Sequence, residues 1–378
     1  MAVLEVTSEH GAMLRDSVAD FVARATDLAR VRRLRAEGRD CDRAIWQQMA
    51  ELGWLGVLVP EACGGLGLTL AEAAIVAEGL GGALVPEPYT AVSVLAVTAL
   101  VHADESATRE QLLADIAAGR TLPAVAWQAR AGDIETLCDG VTAGAFEGGW
   151  RLDGVKRYVV AGCDADGYLV SAQAADGAVL AWVPRQTAGL TVTGEPWADG
   201  RMAGTVAFDG VAVTREQVVA RGATAEAALR IARDHAALIA SAELVGVMDR
   251  VLELSLDYMR TRVQFGKPIG SFQALQHRAV DLYVQRQLAG AVLEDGLRRV
   301  AGANEAERAA LASRVKARCA DAGLRIAREA IQIHGAIGFT DDYDAGLYLK
   351  RALVLSAWLG NAGQHRRRYA RLALAAEV

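Results

Sequence analysis

The carboxylate most suggestive of chemistry in this chain is Glu243. It is the only charged residue in the thirteen residues 236–248, whose other members are apolar or small. A carboxylate in such surroundings is costly to bury unless it is paired or used in a reaction. The sequence leaves two alternatives for Glu243: a structural partner of an arginine or of backbone groups, or a general base.

Two further stretches combine polar and aromatic side chains with glycine turns. Residues 262–268, Arg-x-x-Phe-Gly-Lys-Pro, join the end of one long helical pattern to the start of another. Residues 332–338 read Gln-Ile-His-Gly-Ala-Ile-Gly. Glycine lets the main chain come close to a ligand because it has no side chain. His235 and His334 could in principle shuttle protons, but a lone histidine in a helical or Gly-rich stretch is usually a packing residue.

Composition limits the class of protein. The chain has 378 residues, is 52% hydrophobic and carries a formal charge of −6, so it can bury a large core in two or three packed units. The mild negative charge gives no footprint for nucleic acid. Five scattered cysteines predict reduced thiols and no metal site. No apolar run nears the about 18 residues of a membrane span, so we expect a cytoplasmic protein.

Periodicity divides the chain into three segments. Residues 1–120 have helical spacing broken by glycine pairs, and residues 121–222 have short alternating runs separated by Gly and Asp turns. Residues 223–378 return to helical spacing. This predicts an α+β fold with an N-terminal helical domain, a middle antiparallel β domain and a C-terminal helical bundle. The long helices of the last segment are expected at about 223–262, 272–300 and 304–334, followed by two shorter ones.

The two glycine-turn stretches resemble the flavin-contacting signatures of the acyl-CoA dehydrogenase family, in the family's order and with similar spacing. The resemblance extends over essentially the whole chain. Residues 46–67 are similar to the family's opening pattern, and residues 204–211 resemble the closing strand of its β domain. The resemblance implies FAD as cofactor and Cα–Cβ dehydrogenation of an acyl-CoA thioester to 2-enoyl-CoA.

The resemblance also implies which residues hold the FAD. Arg262 matches the arginine that pairs with the FAD pyrophosphate of a neighbouring subunit, a role suited to a bidentate cation; taken alone, it could equally cap a helix end. Because these contacts cross a subunit interface, an oligomer is implied. The implied cofactor contacts are Arg262, Gln264, Phe265, Phe272, Leu275, Gln332, Gly335 and Asn361.

The β-domain half of the expected flavin site departs from the family pattern. The family's Thr-Glu-Pro-x-x-Gly-Ser-Asp segment corresponds to residues 127–133, Trp-Gln-Ala-Arg-Ala-Gly-Asp, without Thr, Ser or Pro. The Trp-x-Thr pattern beside the flavin ring becomes Tyr-Val-Val at residues 158–160. Val160 cannot donate a hydrogen bond, so we expect an altered flavin environment.

The family's catalytic glutamate is missing. Leu359 stands at its usual position by counting, and Ala236 stands at the alternative position that some members use. Glu243 follows Ala236 by seven residues, on nearly the same helix face but about 10 Å further along, and is our candidate base. Asp234 is expected in an exposed turn of charges with neighbouring arginines. In the family, a flavin ribityl hydroxyl and the backbone N–H of the catalytic glutamate's position polarise the thioester carbonyl, and the resemblance implies that Leu359 still provides that N–H.

Three functions remain open. The first is an FAD-dependent acyl-CoA dehydrogenase with a relocated base, which passes electrons to an electron-transfer flavoprotein. The second is a catalytically silent subunit that completes the flavin site of a base-bearing partner, as in related bacterial α2β2 heterotetramers acting on bulky or steroid acyl-CoAs. The missing base and the altered β-domain motif favour the second. The third is other flavin chemistry on a small substrate.

Overall fold

The computed structural model describes residues 9–25 and 27–376. Within that part of the chain, two compact units can be distinguished, and each combines segments that are far apart in sequence. The first unit contains residues up to 31, residues 74–85 and residues from 237 onward, and the second contains residues 32–73 and 86–236.

Helices form both ends of the chain, and the three longest lie within one residue of their predicted bounds. None of the three contains proline, and the last begins with a capping box between Asn304 and Glu307. A π-helix, Thr90–Ala96, precedes the short fifth helix. In chain order the described α-helices are α1 Glu9–Ala25, α2 Leu28–Glu37, α3 Arg43–Glu51, α4 Leu70–Gly82, α5 Val97–Val101, α6 Ala107–Ala117, α7 Gly222–Thr261, α8 Gln273–Val300, α9 Glu305–His334, α10 Ala345–Ala357 and α11 Ala362–Ala376.

The middle of the chain forms an eight-stranded sheet. Its strands are β1 Pro123–Ala126, β2 Val141–Phe146, β3 Gly149–Val159, β4 Gly167–Ala174, β5 Gly177–Pro184, β6 Leu190–Pro196, β7 Met202–Thr214 and β8 Val218–Arg221. Their order is β6-β7-β3-β2-β4-β5-β8, with β1 beside β4. The pairings are antiparallel except β2 with β4 and β1 with β4. The antiparallel prediction is therefore correct for most of the sheet. β2 and β4 run parallel because β3, which lies between them in sequence, carries the chain back in the opposite direction.

The C-terminal helices pack around α9, which lies against α8, α10 and α11. Small residues let these helices approach closely. Gly296 of α8 faces Val315, and Gly323 of α9 faces Leu244, in each case with no room for a Cβ atom. Such close packing removes the apolar side chains between these helices from water.

Helices α4 and α7 touch through their backbones. A Cβ atom on Gly81 would lie 2.1 Å from the carbonyl oxygen of Glu243, and one on Gly246 would lie 1.9 Å from the carbonyl oxygen of Glu78. Both glycines are therefore required by the separation of the two helices. The contact also fixes the stretch of α7 that carries Glu243.

All five cysteines lie in the described part of the chain, and each is a free thiol. No helix among the described residues is long and apolar enough to cross a lipid bilayer. The division into three domains near residues 120 and 222 stays a prediction.

Replacing Gly246 by alanine should destabilise the chain. The added methyl group meets the backbone of α4 rather than a movable side chain, so we expect a loss of about 1–3 kcal/mol in the free energy of unfolding. The matched control is Gly302→Ala, where a Cβ atom would meet no other atom within 4 Å. Denaturant unfolding of both variants measures the difference, and equal stabilities would contradict the backbone contact.

Candidate functional site

A β-hairpin with a two-residue turn follows the end of α7. Arg262 directly precedes its first strand, and Phe265 lies in its turn. Val263–Gln264 pairs with Lys267–Pro268, so Phe265 and Gly266 form the turn. Their φ angles are 54° and 81°, as a type I′ turn requires. Glycine adopts this conformation freely, whereas it strains Phe265. The Phe265 side chain is nonetheless 91% exposed, so the strain holds an aromatic ring out in solvent.

Phe272 supports the hairpin from the start of α8. The rings of Phe265 and Phe272 meet edge to face with centroids 6.1 Å apart, and Lys267 Nζ lies 4.4 Å from the Phe272 ring centroid. Leu275 is half-buried in the first turn of α8. Gln264 donates a hydrogen bond from Nε2 to the carbonyl oxygen of Val263. We call Phe265, Lys267 and Phe272 the aromatic platform; it suits a flat ligand with negative charge.

The exposed guanidinium of Arg262 belongs to the same hairpin. Its main chain is fixed, because its N–H donates to Tyr258 and its carbonyl oxygen accepts from Ile269, both at 2.8 Å. Among the residues that the structure describes, its guanidinium makes no ion pair or hydrogen bond. The neighbouring Arg260, in contrast, pairs with Asp257 at 2.8 Å. Arg262 therefore does not cap α7 and is available to bind an anion.

The second glycine turn follows the end of α9. Gly335 has φ 63° and ψ −139°, a conformation open essentially to glycine only. A Cβ atom there would meet nothing within 4 Å, so open space faces this stretch of backbone. Gln332 is exposed in the last turn of α9.

An aromatic cluster brings the two turns together. The His334 ring lies between Tyr258 near the end of α7 and Tyr343 before α10, with centroid distances of 4.6 Å to each. His334 Nδ1 bonds the Ala330 carbonyl oxygen, and burial lowers the pKa of the imidazole. His334 is thus a packing residue, as predicted. It joins two motifs that are about seventy residues apart in sequence.

The β-domain positions matched to the flavin ring have strained backbones. Tyr158 and Ala161 have φ angles of 57° and 61°, and the register of β3 against β7 shifts between Lys156 and Val159. Trp127, which follows β1, is buried. Left-handed conformations at non-glycine residues are concentrated at functional positions in proteins. Tyr158 lies in the stretch 158–160 that the resemblance matches to the flavin ring, and Ala161 directly follows that stretch.

Leu359, at the position of the missing glutamate, also has a left-handed backbone, with φ 60°. Its side chain is buried, and its carbonyl oxygen lies 2.9 Å from His365 Nε2. Its N–H makes no hydrogen bond to any described residue. The residue therefore offers a fixed backbone donor and no carboxylate. Asn361 caps α11 by accepting from the Gln364 N–H, which leaves its Nδ2 amide for other contacts.

Glu243 forms a buried ion pair with Arg351 of α10. Its Oε1 atom accepts from Arg351 Nε at 2.9 Å and from Nη2 at 2.5 Å, and both side chains are about nine-tenths buried. Of the two alternatives that the sequence left open, this geometry matches the structural one. Its catalytic assignment stays a prediction.

Asp234 is buried, so the prediction that it lies in an exposed turn is wrong. It pairs with Arg233 at 3.0 Å, and Arg233 is buried as well. Arg233 also donates to the carbonyl oxygen of Ile134 at 2.7 Å. This additional hydrogen bond helps to offset the cost of burying the charged pair. The His235 ring packs near that of His102, with centroids 6.4 Å apart.

Sequence reasoning missed two features of the site. Five non-glycine residues in the described part have positive φ, and Tyr158, Ala161, Phe265 and Leu359 are four of them. The two-residue turn accounts for the positive φ of Phe265. No local sequence signal predicted a positive φ at the other three positions. Lys156, buried beside the segment matched to the flavin ring, was also missed; a lysine in an alternating strand was the only hint.

Replacing Arg351 by methionine should destabilise the chain by about 3–5 kcal/mol, because it leaves the Glu243 carboxylate buried without its guanidinium. The double variant Glu243→Leu with Arg351→Met should recover most of the loss. Unfolding free energies of the single and double variants form the measurement. Arg260→Ala, at an exposed pair, should cost under about 1 kcal/mol. Additive losses in the double variant would refute the buried pair.

Comparison with known proteins agrees with this geometry. The family models "Acyl-CoA dehydrogenase, N-terminal domain" and "Acyl-CoA dehydrogenase, C-terminal domain" match residues 8–120 and 219–374. The acyl-CoA dehydrogenase IpdE2 of Mycobacterium tuberculosis (strain ATCC 25618 / H37Rv) is 33% identical over 91% of this chain and 91% of its own length.

Two solved structures are similar over nearly the full length. The ChsE4-ChsE5 complex from Mycobacterium tuberculosis contains a chain with 28% identity and a TM-score of 0.88, covering 99% of both chains. A variant of the Tcur3481-Tcur3483 steroid ACAD has 28% identity and a TM-score of 0.85, covering 98% of both. These similarities extend from the first helices to the C-terminal bundle. The chain therefore belongs to the acyl-CoA dehydrogenase family of flavin-dependent oxidoreductases.

Proposed function

We propose that this chain is a subunit of a heteromeric acyl-CoA dehydrogenase that converts a bulky acyl-CoA to its 2-enoyl-CoA with FAD. One observation carries the cofactor assignment. The guanidinium of Arg262, which has no partner among the described residues, belongs to the hairpin of the aromatic platform, and the His334 cluster holds that hairpin near Gly335. A cation, exposed rings and an uncovered stretch of backbone are what a dinucleotide needs.

The residues present fit FAD. Arg262 would pair with the pyrophosphate, Phe265 and Phe272 would contact the adenosine, and Gln332 and Gly335 would bring backbone close to the dinucleotide. Gln264, Leu275 and the Nδ2 amide of Asn361 complete the proposed set. By analogy with the family, these contacts reach the FAD of a neighbouring subunit, so flavin binding depends on assembly.

The reaction breaks two C–H bonds of the acyl group. When bound, the flavin accepts hydride from Cβ. In an acyl-CoA site on this chain, the backbone N–H of Leu359 would donate to the thioester carbonyl oxygen as charge develops there. The left-handed backbone and the bond between its carbonyl oxygen and His365 keep that donor in place. Burial of the Leu359 side chain excludes water beside the donor.

Removal of the Cα proton needs a carboxylate, and we propose that a partner subunit carries this carboxylate. Glu243 is engaged by Arg351 and Asp234 by Arg233, while Leu359 and Ala236 are apolar. These pairings favour the second candidate function: a subunit that does not itself remove the proton and completes the site of a base-bearing partner.

The similar solved structures support a heteromeric assembly and a steroid-type substrate. One is a ChsE4-ChsE5 complex, and the other is the Tcur3481-Tcur3483 steroid ACAD. The surface of α8 offers a place for assembly. Val280, Tyr283, Val284 and Leu288 are each 44–60% exposed and lie on one face of that helix; we call them the α8 stripe. Exposed apolar stripes of this kind usually mark interfaces. An electron-transfer flavoprotein as acceptor and a cytoplasmic location complete the proposal.

Arg262→Ala should lower the flavin content of the purified assembly at least about tenfold, because the pyrophosphate loses a bidentate cation in a desolvated site. Flavin absorbance per subunit is the measurement. Arg260→Ala is the matched control, since Arg260 lies two residues away and pairs with Asp257. Unchanged flavin content in Arg262→Ala would remove the main support for the assignment.

Glu243→Gln should leave the turnover of the complex within about twofold, because Arg351 already engages that carboxylate and the partner supplies the base. Steady-state rates with an acyl-CoA and an artificial electron acceptor test this, with flavin content and melting temperature recorded for each variant. Removal of the partner's carboxylate that acts as the base should abolish turnover.

A collapse of activity in Glu243→Gln, with flavin and fold retained, would instead identify Glu243 as the base. An active homo-oligomer that is insensitive to changes at both Glu243 and Asp234 would point to different flavin chemistry.

A further inference from the structure

Residues 127–140 form a long irregular segment between β1 and β2. It is the segment matched to the flavin ring, and it lacks the Thr, Ser and Pro of the family pattern. An irregular segment of this length loses much conformational entropy when it is fixed. Its main-chain carbonyl oxygens must also find donors where they are buried.

Lys156 of β3 meets that need at both ends of the segment. Its Nζ donates to the main-chain carbonyl oxygen of Trp127 at 3.0 Å, to that of Asp139 at 2.5 Å and to Ser171 Oγ at 3.0 Å. Lys156 has no exposed surface. An ammonium group has three N–H donors, and here each has one acceptor. The lysine thus ties two residues twelve positions apart.

The interior of the segment is braced by other donors in the same unit. Ser171 donates to the Leu137 carbonyl oxygen at 2.5 Å, and Arg233 donates to that of Ile134 at 2.7 Å. The Gln128 side-chain amide bonds the carbonyl oxygens of Arg130 and Asp133. Lys156 is the donor that joins the two ends, and through Ser171 it also supports the middle.

The charge of Lys156 is only partly balanced. Burial lowers its pKa to about 7, while Cys138 and Asp139 oppose that shift. The acceptors that Nζ contacts are neutral carbonyl and hydroxyl oxygens, and the Asp139 carboxylate pairs with Arg130 at 2.5 Å. The three oxygen acceptors around Nζ, all within hydrogen-bond distance, indicate a role in fixing geometry.

We propose that Lys156 is a positioning residue: it holds residues 127–139 in the shape that faces the flavin ring. The role toward flavin rests on the proposed function, whereas the bracing of the segment does not. Lys156 touches no reacting atom; it acts through the Trp127 and Asp139 backbone.

Hydrogen–deuterium exchange of the full chain tests the bracing. Lys156→Met keeps the length of the side chain and removes its donors, so amide exchange in residues 128–139 should rise at least about tenfold as several hydrogen bonds are lost. Exchange in β4 and β5 should change by less than about twofold. The matched control is Lys316→Met. Lys316 is the other fully buried lysine, and it donates to the carbonyl oxygen of Leu355. Both residues belong to the unit that does not contain Lys156.

Lys316→Met should lower overall stability without selectively raising exchange in residues 128–139. Equal exchange of that segment in wild type and Lys156→Met overturns the bracing. Should Lys156→Met fail to fold, Ser171→Ala replaces it; exchange at residues 137–139 should then rise about threefold, and no change there overturns the proposal equally.

A second measurement addresses the flavin. In the assembled, flavin-loaded protein, Lys156→Met should shift the visible flavin absorption band at equal occupancy, which a purely structural role would not do. Raised exchange with an unchanged band overturns the role toward flavin. If the wild-type assembly binds no flavin, the proposed function fails, while the exchange result still decides whether Lys156 braces the segment.

Discussion

A charge buried away from water must be matched by partners, and much of this molecule is arranged around that requirement. Lys156 is surrounded by three oxygen acceptors. Glu243 is matched by the guanidinium of Arg351. Lys316 donates to the carbonyl oxygen of Leu355 in the last turn of α10, where a cation also offsets the negative end of the helix dipole. Each match fixes one element of the fold against another.

The same matching limits the chemistry available to this chain. A general base needs a carboxylate that can take a proton in the reaction, and pairing with an arginine opposes that. Glu243 and Asp234 are both paired in this way. Leu359 keeps the backbone geometry of a functional position without an ionisable group. In the proposed function, Glu243 and Asp234 stabilise this chain, and a carboxylate of the partner subunit would take the proton.

Local rules predicted much of the fold and less of the site. Helical periodicity and the absence of proline gave the bounds of α7, α8 and α9 to within one residue, because those signals are local. The Phe265–Gly266 turn was also visible in sequence. The pairing of Glu243 with Arg351 joins residues 108 positions apart, and no local pattern specifies it. For the same reason Asp234 was wrongly placed on the surface, and the strain at Tyr158 and Leu359 was not foreseen.

The α8 stripe has a consequence for how this chain exists in the cell. Apolar surface that is covered only on assembly links folding to association, so apparent stability depends on the concentration of the partner by mass action. A chain made in excess over its partner keeps Val280, Tyr283, Val284 and Leu288 in water. In the proposed heteromeric assembly, balanced synthesis of the two subunits would be a condition for solubility, and the scarcer subunit would set the amount of this chain that persists.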